Sequence, residues 1–179
     1  MSFLKRRWYR ENGYKQVLIV AFPLILSTGS WSIQQFVDRM YLSWYSPDAL
    51  AAAVPTGILS FTIVSFFLGT SGYASTFVAQ YTGAGKSERI GPAMWQGIYF
   101  AIIGGLVVAS TFFLADPIFD AVGHEPAVKA LEKEYWKYLA IGGFLPIGKA
   151  AVSSFFSGRG QTYPIMWSSL AGMSINVVL

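Results

Sequence analysis

Asp38 lies toward the far end of an apolar run over residues 16–45. A carboxylate at the centre of a bilayer costs about 2.5–3.5 kcal/mol on insertion scales, so an acid kept inside such a run calls for a chemical reason. The chemistry within its reach is the capture and release of a cation. Ser27, Trp31, Gln34, Asp38, Tyr41 and Tyr45 follow one another in helical steps of three or four residues and share one face. Phe22, Leu26, Gly29, Ile33, Phe36 and Met40 fall on another. A polar and aromatic stripe within an apolar span belongs against a cavity or a bundle interior rather than lipid. Trp31, Gln34 and Tyr41 are therefore candidates to line a substrate pathway beside Asp38, because aromatic faces attract organic cations by ~0.5–2 kcal/mol. The alternative for Asp38 is an interfacial carboxylate beside Arg39, although successive helical residues point about 100° apart.

Lys149 is a further candidate. It stands one turn from Ser153 in a later apolar run and either lines a cavity or snorkels to the nearer interface. Thr62, Ser65, Gly69, Tyr73, Thr76 and Gln80 form a milder polar face, read as helix packing. Gly97, Ala101, Gly105 and Ala109 repeat small residues every four positions, which also reads as close packing.

Other chemistries lack their residues. There is no cysteine, and His124 is the sole histidine. The apolar runs hold no paired carboxylates, no Ser-His-Asp set and no metal-ligand spacing. No catalytic or metal-ligating residue is assigned, no cofactor is expected, and an enzyme is not. Gly85-Lys86-Ser87 resembles the end of a phosphate loop, but Gln80 stands where that pattern needs glycine, and no strand precedes it. The formal charge of +4 does not point to nucleic acid, because the basic residues punctuate apolar runs.

The elements that must position these residues are membrane helices. Hydrophobic residues make up 54% of the chain and charged residues 12%, against roughly 25% charged in soluble domains. Apolar runs cover about residues 16–45, 49–81, 92–114, 135–157 and 163–179, and a span needs ~20 residues. Pro23 and Pro55 are expected bends. Ser46-Pro47-Asp48 offers a turn and a helix N-cap, and polar turns follow at 83–87, 120–126 and 158–162. Trp and Tyr recur at the run ends, as at membrane interfaces. Lys5, Arg6, Arg7, Arg10 and Lys15 precede the first run, so the N-terminus is read as cytoplasmic, with residues 83–89 inside and 117–133 outside. Lys129, Lys133 and Lys137 in the third connection oppose this mildly. A cleaved signal is not expected, since the first run is too long and further runs follow.

Several pieces occur together in order: Phe22-Pro23-Leu24, Val37-Asp38, Ala49-Leu50-Ala51-Ala52, Val78-Ala79-Gln80, Gly83-Ala84-Gly85, Phe156-Ser157-Gly158-Arg159-Gly160-Gln161-Thr162, and Asn176. In this the chain resembles the N-terminal half of a multidrug and toxic compound extrusion (MATE) transporter. The resemblance implies an all-α, polytopic fold of twelve helices in two six-helix lobes, of which residues 1–179 would be an incomplete N-terminal lobe: helices one to four and most of five. It implies a proton- or sodium-coupled antiporter, multi-pass in the cell (inner) membrane, that exports amphipathic organic compounds. Its partners would be a small organic substrate, the coupling cation and the bilayer. It further implies that Asp38 and Asn176 serve cation coupling. For a proton the carboxyl must titrate well above the ordinary aspartate range, which burial favours; for sodium it stays ionised, with neutral oxygens such as the Asn176 amide completing the shell. Many relatives carry a further acid shortly after the asparagine, and residues 1–179 stop before it, which leaves the coupling ion open. Residues 163–179 are short for a span, so the chain is expected to belong to a longer transporter. The alternatives are a lipid or lipid-linked oligosaccharide flippase of the same superfamily, which would favour a more cationic cavity, and a non-transporting membrane or assembly protein.

Overall fold

The computed structural model describes Trp8, Arg10 and residues 13–178. Lys5, Arg6 and Arg7, on which much of the orientation reading rests, lie outside the described residues. The described secondary structure is helical. In chain order it comprises α1 (Tyr14–Tyr45), α2 (Pro47–Gly72), α3 (Ala74–Gly83), a 3-10 turn at Ser87–Arg89, α4 (Ile90–Ser110), a 3-10 turn at Thr111–Leu114, α5 (Ala115–Val122), α6 (Pro126–Gly142), α7 (Phe144–Gly158) and α8 (Tyr163–Val178). Among the described residues, four stretches are long and apolar enough to cross a membrane: Tyr14–Tyr45, Pro47–Gly83, Ser87–Val122 and Pro126–Gly158.

Local chemistry sets the joints. Ser46 is extended at φ −165° and caps α2, its Oγ accepting from the Asp48 and Ala49 amides at 3.2 and 3.5 Å. Pro47 follows at a position where the missing N–H costs nothing, and Asp48 complements the helix dipole. Pro23 and Pro55 do not interrupt their helices. The interruptions fall instead at Tyr73 and Gly143, next to Gly72 and Gly142, where glycine weakens the helix. Ser154 Oγ donates to the Gly72 carbonyl at 3.1 Å and lies 3.3 Å from that of Ser71, so a neighbouring helix supplies the freed carbonyls with a donor. The third and fourth apolar runs are longer as helices than their hydropathy suggested: charged turns continue the third at both ends and the fourth at its N-terminal end.

The chain divides into two units, one of Met1–Asp38 with Gly160–Leu179 and one of Arg39–Arg159. In the second, Val64, Ala101, Val108, Ile147 and Ala151 form a core with Ile63, Phe67, Leu68 and Ile98 around it. The small-residue ladder works as read: a Cβ on Gly105 would lie 2.5 Å from the Phe144 Cβ, and one on Gly97 3.2 Å from the Ala74 Cβ. A second cluster of Ala115, Phe119 and Trp136 closes the α5–α6 hairpin, with Trp136 Nε1 donating to the Thr111 carbonyl at 2.9 Å. The polar face of α2 and α3 is largely uncovered within this chain. Thr62, Gly69, Tyr73 and Gln80 are exposed, and Thr62 and Ser65 donate back to carbonyls of their own helix. The outer faces of both units carry exposed large apolar side chains such as Phe22, Ile25, Phe36, Phe66, Leu106 and Leu145, the surface a bilayer would cover.

Candidate functional site

The candidate site lies within the first unit, where α1 up to Asp38 and α8 meet along a polar seam. Thr162 Oγ1 donates to the Val20 carbonyl at 3.1 Å. The Ser27 and Ser169 hydroxyls are 2.6 Å apart. Gln34 Nε2 would lie 3.6 Å from a Cβ at Gly172. Asn176 Nδ2 donates to Asp38 Oδ1 at 3.0 Å. Residue numbers rise together along both helices, so the two run parallel.

The seam follows from two faces that match. Ser27, Gln34 and Asp38 lie on the α1 stripe, and Ser169, Gly172 and Asn176 recur on α8 at helical spacing. Hydrogen bonds between membrane helices add ~0.6 kcal/mol each on average.

The Asp38–Asn176 pair carries the chemistry. An ionised carboxylate only accepts hydrogen bonds, so Asn176 must turn its NH2 toward Asp38. That leaves Asn176 Oδ1 buried with no hydrogen-bond partner. A hydrogen bond to a charged group contributes about 1.5–3 kcal/mol, and a buried orphan acceptor costs about 1–3 kcal/mol. The pair therefore presents a satisfied carboxylate oxygen beside an unsatisfied amide oxygen. Two oxygens of this kind can accept a hard cation. If Asp38 instead takes a proton it becomes a donor, and the amide oxygen can accept from it.

Gln34 sits in the seam, one turn from Asp38 and half-buried. Trp31 is on the same helix but 51% exposed. Tyr41 and Lys149 belong to the second unit: Tyr41 is 41% exposed, with its ring 5.8 Å from that of Trp44, and Lys149 is on the exposed side of α7. Sequence reasoning missed Thr162, Ser169 and Gly172 as partners of α1. The signal was present, since 162, 169, 172 and 176 fall on one helical face like the stripe on α1.

The family model described as MatE matches residues 23–179. "Probable multidrug resistance protein NorM" of Burkholderia pseudomallei is 30% identical over 164 residues, covering 89% of this chain and 34% of that protein. "Multidrug resistance protein PmpM" of Pseudomonas aeruginosa is 26% identical, covering 91% and 34%. The chain thus spans about a third of the length of the curated relatives it matches. Among solved structures, a MOP superfamily transporter from Pyrococcus furiosus, reported for the reverse polarity of its binding pocket, superposes at a TM-score of 0.87 with 19% identity, covering 100% of this chain and 40% of that one. An outward-facing multidrug resistance MATE family transporter gives 0.86 at 20% identity, covering 92% and 37%. These two likenesses show the fold: a partial lobe of an all-α membrane transporter fold.

Proposed function

The chain belongs to the MatE family, and from that premise we propose that it forms part of an antiporter exporting amphipathic organic compounds in exchange for a proton or a sodium ion. It is a multi-pass membrane protein, and the reading places it in the cytoplasmic membrane with its N-terminus inside. The observation that carries the coupling role is the Asn176–Asp38 bond with its buried, unpartnered Asn176 Oδ1.

The two coupling ions make different use of this pair. Sodium requires Asp38 ionised and draws the carboxylate and Asn176 Oδ1 together as oxygen ligands. A proton converts Asp38 from acceptor to donor and rewards a turned-over Asn176 amide. Either event rewrites the contact that ties α1 to α8, so cation occupancy and the packing of these helices are linked. An exposed aromatic such as Trp31 on the same helix suits an organic cation on the neighbouring surface. The relatives named as multidrug resistance proteins support drug export over lipid flipping.

The test uses the complete protein expressed from its full reading frame in cells stripped of their major exporters. Reduced accumulation of amphipathic cationic dyes, and raised resistance to cationic drugs, are expected. Unchanged accumulation and resistance across such a panel removes the exporter reading.

A further inference from the structure

We propose that Thr162 is a positioning residue for the Asp38–Asn176 pair, acting through the Val20 carbonyl and the proline turn of α1; the proposal rests on the transport reading above. The motif from Phe156 to Thr162 leads into the seam, and its residues have distinct structural tasks. Gly158 lets α7 approach α3, since a Cβ there would lie 2.6 Å from the Ser75 carbonyl oxygen. Gly160 turns the chain at φ +70°, a conformation other residues rarely adopt, and packs near Val20. Thr162 is 1% exposed, and its backbone carbonyl opens α8 by accepting from the Met166 amide. Its hydroxyl does not cap its own helix; it donates to Val20 on α1.

Val20 is a telling place for that bond. Pro23 is buried three residues on. Its ring removes the donor that Ile19 O would have and presses on that carbonyl, disturbing the turn that also holds Val20 O. Hydroxyls from neighbouring helices commonly satisfy backbone groups freed around a proline in a membrane helix. Thr162 therefore ties α8 to the backbone of the proline turn of α1.

The two ends of the seam are also out of register. The sequence offset between partners is 142 at Val20–Thr162 and Ser27–Ser169, and 138 at Asp38–Asn176. From Val20 to Asp38 α1 rises about 27 Å, and from Thr162 to Asn176 α8 rises about 21 Å. One extra turn of α1 lies between the two fastened points, and it falls between Ser27 and Asp38, where the offset changes from 142 to 138. The height at which Asp38 meets Asn176 then depends on where Thr162 holds the other end.

The experiment compares wild type, Thr162→Val and Thr162→Ser in the complete protein. Efflux from proteoliposomes is measured against coupling-cation and organic-substrate concentration. Thr162→Val should raise the half-saturating cation concentration several-fold and leave the KM for the organic substrate unchanged, and Thr162→Ser should match wild type. Hydrogen exchange in peptides covering residues 14–26 should quicken in Thr162→Val alone. Wild-type cation dependence and wild-type exchange in Thr162→Val overturn the proposal. So does equal impairment of both variants, which would assign the site to side-chain volume. If wild type shows no efflux under either cation gradient, the transport reading fails and the claim that Thr162 positions a coupling pair fails with it. The exchange comparison then decides separately whether the tether itself holds. If Thr162→Val does not insert, Thr162→Ala carries the same expectations.

Discussion

Asn176 donates from its side-chain amide to Asp38 Oδ1 at 3.0 Å while its own Oδ1 is buried and accepts nothing. One residue thus both steadies the carboxylate and offers a second oxygen beside it. Asn176→Leu removes both functions with little change in volume. The loss of a charge-assisted bond, about 1.5–3 kcal/mol, should weaken the half-saturating concentration of the coupling cation roughly tenfold or more. Titrating efflux against that cation checks it; an unchanged value would remove Asn176 from the coupling site.

Gly158 tests the packing that supports the second unit. A Cβ there would lie 2.6 Å from the Ser75 carbonyl oxygen and 2.7 Å from the Val78 Cβ. Gly158→Ala should therefore cost about 1–3 kcal/mol, as overpacking does. Gly57, inside α2 with nothing within 4 Å of an added Cβ, is the control, and Gly57→Ala should be neutral or gain up to about 1 kcal/mol. Thermal unfolding in detergent separates the two. Equal melting temperatures would contradict the close approach of α7 and α3.

His124 and Lys133 allow a contrast between a hydrogen bond to a buried side chain and exposed ion pairs. Glu132 is fully buried, and His124 Nδ1 meets its Oε1 at 2.8 Å while Oε2 has no partner. Lys133 reaches Asp116 and Asp120, both largely exposed, at 3.0 Å. Leaving a buried polar group without its hydrogen bond costs about 1–3 kcal/mol, whereas an exposed ion pair contributes little. His124→Ala should lower the melting temperature well below that of Lys133→Ala. The reverse order would mean that Glu132 does not depend on His124.

Orientation is open to direct chemical test. Ser87 and Ala127 are both exposed, and the chain has no native cysteine. Single cysteines at these positions should differ toward an impermeant thiol reagent in intact cells: position 127 should label and position 87 should not. The opposite pattern inverts the topology.

The sequence made the stripe on α1 legible, because helical periodicity and an intramembrane acid are both local signals. The Ser46 cap was legible for the same reason. What it did not show was which helix faces the stripe. Ser169 and Gly172 are small and unremarkable in composition, and their role exists only once α8 lies parallel to α1. The positions of Tyr73 and Gly143 as helix breaks were also hidden, since proline is the louder signal and glycine the one that acted. Glu132 stands among charged residues in the sequence, and nothing local signals its full burial.

The central claim is that Asp38 carries the coupling cation. Its most direct measurement is dye efflux by the complete protein in proteoliposomes under an imposed proton gradient and, separately, an imposed sodium gradient, for wild type and Asp38→Asn. The amide keeps the shape and a hydrogen bond to Asn176 but neither the charge nor a titratable group. Wild type should respond to at least one gradient, and Asp38→Asn should respond to neither while still inserting. Near-normal gradient-driven efflux by Asp38→Asn would contradict the account and leave Asp38 a residue that only holds α1 to α8.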